Sequence, residues 1–256
     1  MVSNIPGITA RAVRFAPCHR IVASRLPTIH LFERVSDPAD WDALYELESR
    51  TNPRIRTQLG ELHLVPVADR VGGPNASIVM APFTHLSPPG TRFTDGHFGA
   101  YYGAESIDTA IAETRFHREN FLRATSQPPI ELEMRCYLAD VTCELHDLRG
   151  RRMEMPAIYD PASYAASQKL GRELRAAGSN GIAFDSVRRN GGECVALFRP
   201  RLVQNVRQSV HLRYAWDGNS ISEVYEIRVV NLWRGQLGFQ SFEEVARYTA
   251  RRPKRD

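Results

Sequence analysis

Two short stretches of the chain gather the residue types that could do chemistry. The first, GTRFTDGHFGAYYGAESIDTAIAETRFHREN at 90–120, places Arg92 on a glycine-bounded loop, Tyr102 at the end of a short predicted strand and Glu113 about two turns into a predicted helix. Ala110, Glu113, Thr114 and His117 recur at i, i+3, i+4 and i+7 and therefore share one helix face. A carboxylate stands on that stripe where a core helix would carry Leu or Ile, so Glu113 is either paired by an arginine or open to a cleft. Glu113 and His117 also have the i, i+4 spacing of two metal ligands, but no third ligand follows at a defined offset, and no metal is expected. The second stretch, SNGIAFDSVRRNGGECVALF at 179–198, puts Ser186 where a strand enters a tight hairpin. Taken alone, Ser186 reads as a locally satisfied turn serine.

Common catalytic signatures are missing. The sequence has no G-x-x-x-x-G-K-[ST], G-x-G-x-x-G, H-E-x-x-H or G-x-S-x-G. Cysteines at 18, 136, 143 and 194 form no C-x-x-C pair, which argues against a disulfide scaffold or structural zinc and for reduced thiols in a cytoplasm. The longest run without a charged residue, 71–91, is broken by four prolines and three glycines, so no membrane span is expected, and the N-terminus lacks the apolar stretch of a secretory signal. Basic residues number 31 Arg and 2 Lys, the signature of a GC-rich coding sequence rather than of a binding device. The terminal residues Arg251, Arg252, Lys254, Arg255 and Asp256 carry +3 of the formal +4, which leaves a nearly neutral body and no broad surface for nucleic acid.

These residues need a scaffold, and its elements are legible in outline. Residues 1–18 read as an N-terminal arm, with the folded part beginning at His19. A helix is predicted from Asp37-Pro38 to near Asn52, strands at 60–67 and 76–83, a strand at 100–104 and a helix from Ser106 to about Leu122. A strand follows at 130–141 and continues through CELHDL. A helix opens at Asp160-Pro161 and ends at Gly178, and a hairpin joins 181–187 to 194–198. Strands around HLRYAW and EVYEIRVV and a short helix at FEEVARYT complete the chain. Strands and helices mix without a regular βα repeat, so the expected class is α+β with a mixed, mainly antiparallel sheet and flanking helices.

Together the two stretches resemble the RES domain family, named for an Arg, a Glu and a Ser: Arg92 in GTRF, Glu113 in SIDTAIAETRFH and Ser186 in NGIAFDSVR. Tyr102 in YYGAES matches the family's tyrosine, and the resemblance extends to GGECVALFRP and, more loosely, to HRIVASRLPTIHLFE and TNPR. It implies a domain at 19–205 with insertions at 34–85, a C-terminal extension at 206–256 ending in the basic tail, and a fold similar to ADP-ribosyltransferases. It also implies a bacterial toxin that degrades NAD, by phosphorolysis to nicotinamide and ADP-ribose-1″-phosphate or by hydrolysis. NAD would be substrate and inorganic phosphate a co-substrate, with no bound cofactor. The implied partner is an Xre-type helix-turn-helix antitoxin, and a homodimer is an open expectation.

Cleaving the nicotinamide–ribose bond builds an oxocarbenium-like cation while nicotinamide leaves neutral, so a carboxylate near the ribose helps more than an acid does. On that chemistry Glu113 is the expected stabiliser and Arg92 the fork for pyrophosphate or phosphate. Tyr102 would stack on nicotinamide or ribose, and Ser186 would hydrogen-bond ribose or phosphate. Arg188 and His117 are supporting candidates. The alternatives are a protein ADP-ribosyltransferase and a non-catalytic module that binds nucleic acid through the basic tail.

Overall fold

The structure is a computed structural model and describes residues 7–24 and 61–228. The helix predicted from Asp37 and the one at FEEVARYT lie outside the described residues. Contacts divide the chain into Met1–Glu226 and Ile227–Asp256. Apart from the last residue of its final strand, every element below belongs to the first unit.

Seven strands and three α-helices are described: β1 (Ala10–Ala23), α1 (Ala76–Thr84), β2 (Tyr101–Ala104), α2 (Ile107–Ala124), β3 (Ile130–Asp147), α3 (Ala165–Ala176), β4 (Gly181–Asp185), β5 (Glu193–Leu197), β6 (Gln204–Trp216) and β7 (Ile221–Ile227). The strand order is β1-β2-β5-β4-β3-β6-β7, and β1 also pairs with β3, so five strands close on themselves while β6 and β7 extend outward from β3. The register is antiparallel throughout the ring and into β6 except between β3 and β4, which run parallel. The architecture is α+β with a mainly antiparallel sheet, as expected. One edge of the long β3 pairs with β1, while the other takes β6 over its first part and β4 at His146 and Asp147.

A bulge in β1 decides which face its residues serve. Val13 and Phe15 are buried in a core shared with Val79, Met80 and Tyr101. The register with β3 shifts between Phe15 and Cys18, where Pro17 has no N–H to give to a ladder. Beyond the shift the parity is reversed: Cys18 joins the first core, while Ile21 packs into the second with Phe93, Phe184 and Tyr214. Side chains alternate with period two, so one extra residue exchanges the faces of everything that follows.

Residues 10–18 are not an arm, because β1 starts at Ala10 and buries Val13, Phe15 and Cys18. ASIVMAPF is a helix, α1, and not a strand: it is apolar and buried around most of its circumference, so periodicity could not separate the two states. Its start is set by Asn75 in the left-handed region at φ 62, with Nδ2 donating to the Val206 carbonyl at 2.9 Å. The described part of 60–67 forms no strand but a 3-10 turn, Leu62–Leu64, and the start of a second, Val67–Asp69. Asp160 accepts from the N–H groups of Ala162 and Ser163, but the helix opens only at Ala165. A boundary at 205/206 cuts the sheet, since β6 begins at Gln204.

Candidate active site

A cavity of about 230 Å³ opens between β1, β2, α2 and the 91–94 loop. The α2 residues on its wall are Ala110, Glu113, Thr114 and His117, the same stripe that the sequence placed on one face. Ser106 starts this helix, its Oγ accepting from the Thr109 N–H at 3.2 Å, and Asp108 in the first turn complements the positive helix end. Thr114 is tied down by Oγ1 bonds to the Ala110 carbonyl and the Tyr214 hydroxyl, at 2.7 and 2.8 Å.

Glu113 and Ser186 form one unit. Ser186 lies at the end of β4, almost fully buried, and its Oγ donates to Glu113 Oε1 at 2.6 Å. The same oxygen accepts from the N–H groups of Arg188 and Arg189, at 3.1 and 3.0 Å. One donated and two accepted bonds exhaust what a hydroxyl can make. All three bonds of the Ser186 hydroxyl are thus made within the protein, and one of them holds the Glu113 carboxylate. Glu113 Oε2 has no protein donor among the described residues.

Arg92 sits in a tight turn closed by Thr91 N–H to the Thr94 carbonyl at 2.8 Å. Phe93 fixes this turn in the core, edge-on to Phe184 at 4.9 Å between ring centres. Arg92 Nη1 donates to the carbonyls of Ile158 and Asp160, at 3.0 and 3.2 Å, and the guanidinium stacks on Tyr164 at 4.6 Å. Burial pulls the guanidinium below the usual arginine value, while Tyr164 and Glu113 act in the opposite direction. Its Nε and Nη2 have no protein acceptor among the described residues.

Tyr102 is the strut of that turn. Its hydroxyl accepts from the Phe93 N–H at 2.9 Å and shares a 2.7 Å bond with Thr91 Oγ1. Burial pushes the phenol up to about 12, so it stays protonated at neutral pH. The hydroxyl is thus committed to the protein, although Tyr102 still lines the cavity. Tyr102→Phe should lower the unfolding free energy by about 1–3 kcal/mol, because the Phe93 N–H loses its acceptor. Equilibrium urea unfolding of both forms checks this, and coincident curves would show that the hydroxyl supports nothing.

Arg188 lies against the Phe116 ring at 3.2 Å and donates through Nη2 to the Pro161 carbonyl at 2.7 Å. His117 stands at the rim. Partial desolvation holds its imidazole below the usual histidine value, with Arg188, Arg92 and Arg118 adding to the effect against Glu113. Sequence reasoning missed Arg20, Thr91 and Tyr164, which also line the cavity. Arg20 Nη1 donates to the Tyr102 carbonyl at 2.9 Å, the guanidinium stacks on Tyr101 at 4.7 Å, and Nε is buried without a partner. Arg20, Arg92 and Arg188 form no ion pair with a carboxylate among the described residues, whereas Arg115, Arg149, Arg172, Arg189 and Arg213 all do.

The cavity combines one fixed carboxylate, guanidinium groups in no ion pair among the described residues and an apolar wall from Ile21, Ala104 and Phe184, a lining able to hold a small molecule. Residues 67–217 match the RES domain, more than half of the chain, and the chain belongs to the RES domain family. That match includes 67–85, which the sequence reading had assigned to an insertion. An uncharacterized protein, y4oC of Sinorhizobium fredii (strain NBRC 101917 / NGR234), is 31% identical over 209 residues, covering 81% of this chain and 86% of the relative. Among solved structures, a chain of the M. tuberculosis MbcT–MbcA toxin–antitoxin complex is similar at 12% identity and a TM-score of 0.43, covering 82% of this chain and 87% of that one. Among the described residues no helix is long and apolar enough to cross a membrane, and no cluster of side chains could hold a metal ion.

Proposed function

We propose that this cavity cleaves the nicotinamide–ribose bond of NAD, and that the chain is the toxin of a toxin–antitoxin pair whose antitoxin is of the Xre helix-turn-helix type. The observation that carries the reading is the Glu113–Ser186 unit at 2.6 Å, with Glu113 on the wall of a cavity whose arginines, Arg20 and Arg92, form no ion pair among the described residues. Family membership supports the toxin assignment.

In this reading the C1′–N1 bond breaks with its electron pair going to nicotinamide, which leaves neutral. Positive charge grows on the ribose, and the Glu113 carboxylate, held on one oxygen by Ser186, opposes it through the other. Arg92 meets the phosphates through the donors it does not spend on Ile158 and Asp160. The cavity, about 230 Å³, is smaller than the roughly 300–1,000 Å³ pockets that enclose a whole drug-sized ligand. It suits the nicotinamide riboside end, with the remainder of the dinucleotide along the mouth.

The acceptor that completes the reaction is phosphate, water or a protein side chain, and the products distinguish them. Purified full-length chain incubated with NAD and inorganic phosphate is expected to release nicotinamide and ADP-ribose-1″-phosphate, identified by mass. ADP-ribose alone would mean hydrolysis, and a mass gain on protein would mean ADP-ribosyl transfer. Undiminished NAD under all conditions would remove the reading. In cells, expression of the chain is expected to arrest growth and Glu113→Gln to relieve the arrest. Growth arrest that persists in the variant would place toxicity elsewhere.

A further inference from the structure

We infer that α3 is the positioning element of this site, with Gln168 and Gly171 fixing the turn that carries Arg92 and thereby setting affinity for the phosphate-bearing substrate. The inference rests on Arg92 being the group that meets the substrate's phosphates. Tyr164, at the start of α3, and Gln168, Gly171, Arg172 and Arg175 within it are spaced i, i+4, i+7, i+8 and i+11, so they share one face of the helix. Each meets the segment around Arg92. Tyr164 lies on the Arg92 guanidinium. Gln168 Nε2 donates to the carbonyls of Pro89 and Thr91, at 3.0 and 3.1 Å. Arg172 Nη1 pairs with Asp95 Oδ2 at 2.8 Å, and the Arg175 guanidinium lies 4.8 Å from the centre of the Phe98 ring.

Between them Gly171 lets the helix backbone touch the turn. A Cβ at Gly171 would fall 2.0 Å from the Phe93 carbonyl oxygen, and backbone cannot yield to it as a flexible side chain would. The turn is equally tight from within: at Gly90, φ is +75° and a Cβ would lie 2.0 Å from the Thr94 oxygen. An apolar helix face could pack on a loop without fixing it. Here the donors end on the Thr91 carbonyl, next to Arg92, and on Pro89 just before it, which fixes where the guanidinium starts from.

Gln168→Met keeps length and volume while removing both donated bonds. It is expected to raise the KM for NAD about tenfold with kcat within about threefold of wild type, as for a lost binding contact. Gly171→Ala should do the same, although Ala is the better helix former and would otherwise stabilise α3. Lys169→Ala, an exposed α3 residue, is the control expected to change neither constant. The decisive arm is a cycle with Arg92→Lys: if Gln168 acts through Arg92, Gln168→Met costs less than about twofold more in that background. An unchanged KM in both single variants, or the full loss repeated in the Arg92→Lys background, would overturn the inference. If wild type neither binds nor consumes NAD, the NAD reading fails on its own. Amide exchange then decides the positioning claim: faster exchange at Thr91–Thr94 in Gln168→Met supports it, and unchanged exchange rejects it.

Discussion

Glu113→Gln should slow NAD cleavage by a factor of about a hundred to a thousand, roughly 3 to 4 kcal/mol of barrier, while leaving NAD binding nearly intact. The amide is close to the carboxylate in shape, and its oxygen can still accept from Ser186 Oγ, so the α2–β4 junction keeps its hydrogen bond. What disappears is the negative charge at the place where positive charge would grow. Glu113 lines the cavity with no cation within ion-pair distance among the described residues, although its field reaches Arg92 and His117 across the same cavity. Stopped or steady-state assays of nicotinamide release, paired with calorimetric NAD titration, separate the two effects. Weaker binding with normal turnover at saturation would assign Glu113 to ground-state recognition instead.

Arg92→Ala should lower kcat/KM by about 10- to 100-fold, mostly through KM, since a charged hydrogen bond is worth about 1.5–3 kcal/mol. Stability should fall as well, because the carbonyls of Ile158 and Asp160 lose their donor and the ring of Tyr164 loses its cation. Arg92→Lys is the sharper variant. A single ammonium keeps the charge but cannot hold two carbonyls, stack as a plane and still present a fork to phosphate. Its KM should therefore fall between those of wild type and Arg92→Ala. Kinetics over a range of NAD concentrations would read this directly, and a loss confined to kcat would show that Arg92 acts on the transition state alone.

The helical half of the site was legible because its signal is local. Glu113 interrupts an apolar stripe of period 3.6, and the stripe it belongs to is the wall of the cavity. Ser186 was recognisable only as a turn serine by its own surroundings, because its partner Glu113 lies 73 positions away and hydrogen-bonding capacity is settled in three dimensions. Tyr102 lines the cavity, but the partners of its hydroxyl, Phe93 and Thr91, are set by a turn whose closure no residue pattern announces. Arg20 could not stand out among 31 arginines until β1 brought it to the cavity wall. β1 itself was hidden by the bulge around Pro17, which breaks the alternation a strand should show. Likewise α1 is apolar nearly all round, and such a run gives no period to read.

In the proposed function, the carboxylate held by Ser186 makes this cavity an NAD-cleaving site. The most direct measurement is NAD loss and nicotinamide release by purified full-length wild type and Glu113→Gln at equal, verified NAD occupancy. Wild type is expected to consume NAD while the variant binds it and leaves it at least about a hundredfold longer intact. Wild-type protein that binds NAD without cleaving it, or a variant that cleaves at the wild-type rate, would rule out Glu113-dependent NAD cleavage in this cavity.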